Sequence, residues 1–199
     1  MYPIYRGISY LFYPGSMAVV GLGVAHQGTA FSPLVWMLFM FGMVILPLFS
    51  LFLYMRMGKV SDVFIFRREQ RHGLYALGVL FSLLTAYLIF RENAILAMVW
   101  SACNMAVLLF LLIINIIGYK VSAHMAGVSG LLAWVLCLPT SNGAVLLACA
   151  LIVLVYIARK GLSAHSHFEL ILGFCLGLFV TFAMARFLLT YHGITCSFI

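Results

Sequence analysis

Charge is what this chain has least of. Only 8% of its 199 residues are Asp, Glu, Lys or Arg, against 66% hydrophobic, with a mean hydropathy of +1.19. Soluble domains carry about 25% charged residues, so a water-soluble fold is excluded. The apolar runs also leave no room for a separate soluble domain. Eleven Lys and Arg outnumber four Asp and Glu, giving a net charge of +7. The cations sit in short loops between apolar runs and form no patch, which excludes nucleic acid as a partner and points to a membrane interface. The five cysteines (Cys103, Cys137, Cys149, Cys175, Cys196) lack the spacing of a metal site. Four lie in hydrophobic runs, where they read as small apolar packing residues and not as disulfide partners. Internal repeats and low-complexity tracts are absent. So are mid-bilayer carboxylates and paired interrupted spans, which argues against a small transporter. The amino-terminal stretch MYPIYRGISYLFYPGS lacks the charged, apolar, small-residue order of a cleaved signal, and none is expected. Its Tyr2, Tyr5, Tyr10 and Tyr13 suit a headgroup belt.

What the chain does have is long apolar runs. A bilayer core needs about 20 helical residues. Seven runs qualify, near 8–27, 33–55, 73–91, 94–117, 122–139, 143–158 and 168–190. Pro14 and several glycines dilute the first, and a six-span count with that run lying in the interface is the alternative. Pro139-Thr-Ser-Asn-Gly143 separates the fifth from the sixth. The expected fold is therefore an all-α polytopic helical bundle of six to seven transmembrane helices, a single transmembrane domain over 1–199. Gly173 and Gly177 form a G-x-x-x-G pair that suits close helix packing.

Alternation of spans brings nine of the eleven Lys and Arg to one membrane side, here called X: Arg6, Arg56, Lys59, Arg67, Arg68, Arg71, Lys120, Arg159 and Lys160. His124 and His165 fall there too. Arg6, Arg56 and Arg71 read as topology determinants under the positive-inside rule. Asp62 reads as a balance for neighbouring arginines or an organiser of its loop. His72, His167 and His192 read as interfacial anchors.

The stretch Arg159-Lys-Gly-Leu-Ser-Ala-His165-Ser-His-Phe-Glu169 carries the densest chemistry. His165 and Glu169 are four residues apart, so on one helix they share a face. A carboxylate beside an imidazole fixes its tautomer and prepares it as nucleophile or base. Arg159 can hold a phosphate by paired hydrogen bonds. A second X-side segment offers Ser122 and His124, and a third runs from Lys59 to Arg71. Cations, helix starts and two histidines together suit phosphate chemistry: one histidine attacks phosphorus and the other protonates the leaving oxygen. His165, His167 and Glu169 could instead be read as metal ligands. Residues two apart on a helix point different ways, and the surrounding cations oppose a metal ion.

These residues resemble the type 2 phosphatidic acid phosphatase superfamily of membrane lipid phosphatases. Its third motif is Ser-Arg, five residues, His, three residues, Asp. Here the same spacing runs through Ala158-Arg159, His165 and Glu169. Its Pro-Ser-Gly-His motif stands as Val121-Ser122-Ala123-His124. Its Lys, six residues, Arg-Pro motif is approximate, with Phe66 at the arginine position after Lys59, followed by Arg67 and Arg68. The resemblance covers about 56–190. It implies His165 as nucleophile, Glu169 as its orienting carboxylate and His124 as acid. It further implies Arg159, Ser122 and Lys59, Arg67 or Arg68 as phosphate ligands, without metal or cofactor. The implied partners are the bilayer and a lipid phosphate monoester or pyrophosphate. A lipid phosphotransferase and an inactive relative that binds lipid phosphates are the alternatives. The expected location is a bacterial inner (plasma) membrane, with X cytoplasmic by charge count.

Overall fold

Serine opens four helices. Ser32, Ser122, Ser141 and Ser166 are extended N-cap residues, and each hydroxyl accepts the amide three residues on, from Val35, Met125, Ala144 and Glu169. Each bond satisfies one of the orphan donors of a helix start. The structure is a computed structural model and describes residues 2–63, 65 and 67–196. Phe66 lies outside the described residues.

The helices are α1 (Tyr2–Leu11), α2 (Pro14–Gly28), α3 (Pro33–Met40), α4 (Leu46–Arg56), α5 (His72–Arg91), α6 (Ile95–Ile117), α7 (Ala123–Cys137), α8 (Asn142–Gly161) and α9 (His167–Tyr191). A π turn, Phe41–Ile45, joins α3 to α4, and a 3-10 turn, Arg68–Arg71, leads into α5. Pro47 follows the π turn. It lacks an N–H for the carbonyl four residues back, and the helix widens just before it.

Each of the seven expected apolar runs is helical, and the chain is an all-α, polytopic bundle of membrane type. Five helices are long and apolar enough to cross a bilayer: Pro33–Arg56, Arg68–Arg91, Ile95–Ile117, Asn142–Gly161 and His167–Tyr191. The first run differs from expectation. It is two helices, α1 and α2, bent by 47° and making a sixth span if taken together. Pro14 opens α2 and sets that bend. The fifth run differs in length. At 15 residues α7 is about 22 Å long, against about 30 Å of hydrocarbon.

Although short, α7 is the most enclosed element, with twelve of its 15 residues buried. Gly173 and Gly177 seat α9 on it. A Cβ on Gly177 would stand 2.1 Å from the Ala126 carbonyl oxygen, and one on Gly173 would stand 2.6 Å from that of Ser122. The G-x-x-x-G pair thus serves the close packing its spacing suggests. Trp100 and Trp134 stack with centroids 5.3 Å apart, and their indole N–H groups donate to the Ala18 and Gly21 carbonyls at 2.7 and 2.9 Å. Those bonds pin α2 to α6 and α7. Cys103 and Cys137 are buried in the same cluster, as the packing reading of these cysteines requires.

Candidate active site

The site is built at one end of the bundle, where α5 and α7 begin, α8 ends and α9 begins. Arg71 closes the 3-10 turn, 4% exposed. Its Nε donates to the Ile65 carbonyl at 2.8 Å, and an Nη1 hydrogen goes to the Val121 carbonyl at 3.1 Å. Arg159 is in the last turn of α8 and is 1% exposed. His124, near the start of α7, is 8% exposed, and its Nε2 lies 3.2 Å from the Ser9 carbonyl oxygen. His165 is 5% exposed and precedes the Ser166 cap of α9.

These four side chains line one cavity of about 150 Å³. Its other walls are largely apolar and run into the bundle, with Tyr13, Met43, Leu51, Leu74, Leu108 and Leu111 among them. Two buried guanidiniums and two imidazoles therefore share a chamber that continues as hydrocarbon surface.

His165 and Glu169 meet by a route other than a shared helix face. His165 stands outside α9, and the chain turns back through Ser166, so Nδ1 lies 2.8 Å from Glu169 Oε2. The same Oε2 accepts the Ser166 amide at 3.2 Å, while the Ser166 hydroxyl accepts the Glu169 amide at 3.2 Å. This is a capping box, and Ser166-His-Phe-Glu169 carries its S-x-x-E spacing. Lys120 Nζ stands 3.9 Å from Oε2 and donates to the Ala164 carbonyl at 2.8 Å, tying down the loop before His165. A carboxylate only accepts, so Nδ1 of His165 holds the proton and Nε2 keeps the lone pair.

Burial is the largest influence on His165. With the charges of Arg71, Arg159 and Lys120, it pushes the pKa down to about 2. The Glu169 hydrogen bond opposes that shift, and the surrounding cations outweigh it. His165 is thus a neutral imidazole with a free lone pair beside fixed positive charge. Burial likewise lowers the pKa of Lys120, and Glu169 opposes it.

The expected site residues divide into two groups. His165, His124 and Arg159 line the cavity, and Glu169 holds His165. Ser122 does not line it; its hydroxyl caps α7 by accepting the Met125 amide at 3.4 Å. Nor do the three loop cations expected on phosphate. Lys59 stands over the Tyr54 ring, 5.3 Å from its centroid, Arg67 is exposed, and Arg68 pairs with Glu69 at 3.2 Å. The same loop does reach the cavity, but through Val63, Ile65 and Arg71 and not through these three cations. Arg71, expected as a topology determinant, is the buried cation instead. Its signal was its place against the start of an apolar run, as Arg159 stands at the end of one. That signal is incomplete, since Arg56 also abuts a run and lies exposed over Phe52.

His167 turns away from His165 and shares a hydrogen bond with the Tyr156 hydroxyl. Among the described residues no three His, Cys, Asp or Glu side chains come together as metal ligands. Compared with protein families, curated proteins and solved structures, the chain matches none.

Phosphoryl transfer calls for groups of these kinds, cations for the phosphate oxygens and imidazoles for attack and proton transfer. Two guanidiniums are placed to hold phosphate oxygens. One imidazole keeps an unprotonated Nε2, and a second imidazole lines the same chamber.

Proposed function

We propose that this protein is an integral membrane lipid phosphatase that works through a phosphohistidine at His165. The observation that carries the reading is the shared cavity, where His124, His165, Arg71 and Arg159 meet an otherwise apolar wall. A lipid phosphate has this same division, an anionic head on a hydrocarbon tail. Phosphate oxygens bind Arg71 and Arg159. His165 Nε2 attacks phosphorus in line, and the P–O bond to the lipid breaks. His124 gives its proton to the leaving oxygen, and Glu169 stabilises the charge that develops on His165. Water then attacks the phosphohistidine and gives a proton to His124, releasing inorganic phosphate and restoring both imidazoles. The substrate is a lipid phosphate monoester or pyrophosphate. The membrane is a bacterial inner (plasma) membrane, with the site on its cation-rich, cytoplasmic side.

The test is phosphate release by detergent-purified protein from a panel of lipid phosphates, with and without chelator, beside His165→Ala. Release that survives chelator and vanishes in the variant supports the reading. Release abolished by chelator overturns the phosphohistidine route. No release from any lipid moves the assignment to a phosphotransferase or to an inactive lipid-phosphate binder.

A further inference from the structure

Helix α1 lies outside the stretch that resembles the phosphatases, yet it reaches the site. Pro14 has no N–H, so the Tyr10 carbonyl loses its helical donor and accepts the Tyr13 amide instead, at 3.4 Å. That leaves the Ser9 carbonyl, at the end of α1, without the Tyr13 amide. It is aimed at His124 Nε2 from 3.2 Å. A carbonyl oxygen only accepts, so Nε2 carries a proton and Nδ1 is the nitrogen that remains for chemistry. The Tyr13 ring meets the His124 ring edge-on, with centroids 6.1 Å apart, and limits its rotation.

The docking of α1 is built to be close. Ser9 is 1% exposed, and the Tyr5 ring covers Gly161 so tightly that a Cβ there would meet it at 2.3 Å. Elsewhere α1 exposes Tyr2, Ile4, Tyr10 and Leu11, side chains suited to a membrane interface.

We infer that α1 belongs to the catalytic apparatus, with the Ser9 carbonyl as the positioning group that sets His124 to deliver its proton from Nδ1. The inference rests on the phosphatase reading. A lipid phosphate that arrives as its monoanion gives its proton to Nδ1, and as the P–O bond breaks that proton passes to the leaving alkoxide oxygen and makes the alcohol. His124 is left neutral with Nε2–H still on Ser9. The attacking water later returns a proton to Nδ1.

Two substrates separate this from a packing role. A lipid alkoxide needs a proton to leave, whereas p-nitrophenolate leaves without one. Ser9→Leu wedges α1 away from His124, and Tyr5→Ala loosens its seat without adding bulk. In each variant, turnover of dioleoyl phosphatidic acid in mixed micelles is expected to fall at least about tenfold more than turnover of p-nitrophenyl phosphate. Imidazole ¹⁵N spectra of the native protein, with His124→Gln for assignment, are expected to show Nε2 protonated in His124. Parallel loss of both substrates, loss of neither, or an unprotonated Nε2 overturns the inference alone. A native protein that hydrolyses neither substrate overturns the phosphatase reading, and the inference with it.

Discussion

Glu169 Oε2 holds His165 Nδ1 at 2.8 Å and the Ser166 amide at 3.2 Å, so one oxygen serves both His165 and the start of α9. The resembled family carries aspartate here. Glutamate has the reach for both partners from the third position of a capping box. The two roles separate by substitution. Glu169→Gln keeps a capping side chain and removes the charge, so its thermal midpoint should stay near native while lipid phosphate turnover falls about 100-fold or more. Glu169→Ala should lose turnover and also about 1 kcal/mol of stability. Near-native turnover in Glu169→Gln would leave Glu169 as a helix cap alone.

Arg71 and the loop cations should behave differently. Arg71 is buried against the cavity, while Lys59, Arg67 and Arg68 are not part of its wall. Arg71→Gln should weaken orthovanadate binding by about 10- to 100-fold. Lys59→Gln, Arg67→Gln and Arg68→Gln should each stay within about twofold, because none of the three borders the cavity. Inhibition titrations of all four decide it. A large effect at Lys59 with none at Arg71 would return the phosphate to the loop.

The contrast shows what could be read without coordinates. The helices could, because about 20 apolar residues between short polar loops admit one conformation in a bilayer. That His124, His165 and Arg159 lie at one end of the bundle could too, since each stands at the edge of an apolar run. The burial of Arg71 could not, because the positive-inside rule explains any cation in that loop, and only burial distinguishes one that turns inward. The cap at Ser122 could not, because one hydroxyl suits a phosphate and a helix cap equally well. The contact between His124 and Ser9 joins residues 115 apart through a main-chain atom, and a side-chain pattern carries no trace of it.

The state of His165 predicts a pH dependence of stability. Unfolded, it titrates at its ordinary value near 6.5; folded, at about 2. Between those values the unfolded chain holds the extra proton, so stability falls as pH drops below about 6.5. The slope from this residue is at most about 1.4 kcal/mol per pH unit. Glu169 opposes the shift, which makes that figure an upper bound. Thermal midpoints in detergent at pH 7 and pH 5 should drop further for the native protein than for His165→Gln. Equal drops would mean that His165 is not held neutral by its surroundings.

Helix packing should control activity through Gly173. A Cβ there would stand 2.6 Å from the Ser122 carbonyl oxygen and 3.2 Å from Met125 Cβ, and neither atom is the end of a flexible chain. The Ser122 amide also donates to the Glu169 carbonyl at 3.2 Å, so this crossing sets the start of α7 against the start of α9. Moving one helix from the other separates His124 from His165. Gly173→Ala should therefore cost about 1–3 kcal/mol and lower turnover in the variant that remains folded. Gly23→Ala is the control: nothing lies within 4 Å of its Cβ. Gained helix propensity should leave it as stable as native or more so by up to about 1 kcal/mol. Turnover per folded molecule, measured below both thermal midpoints, tells geometry from unfolding. If Gly173→Ala loses stability and keeps native turnover, the α7–α9 crossing supports the bundle without setting the distance between the two histidines.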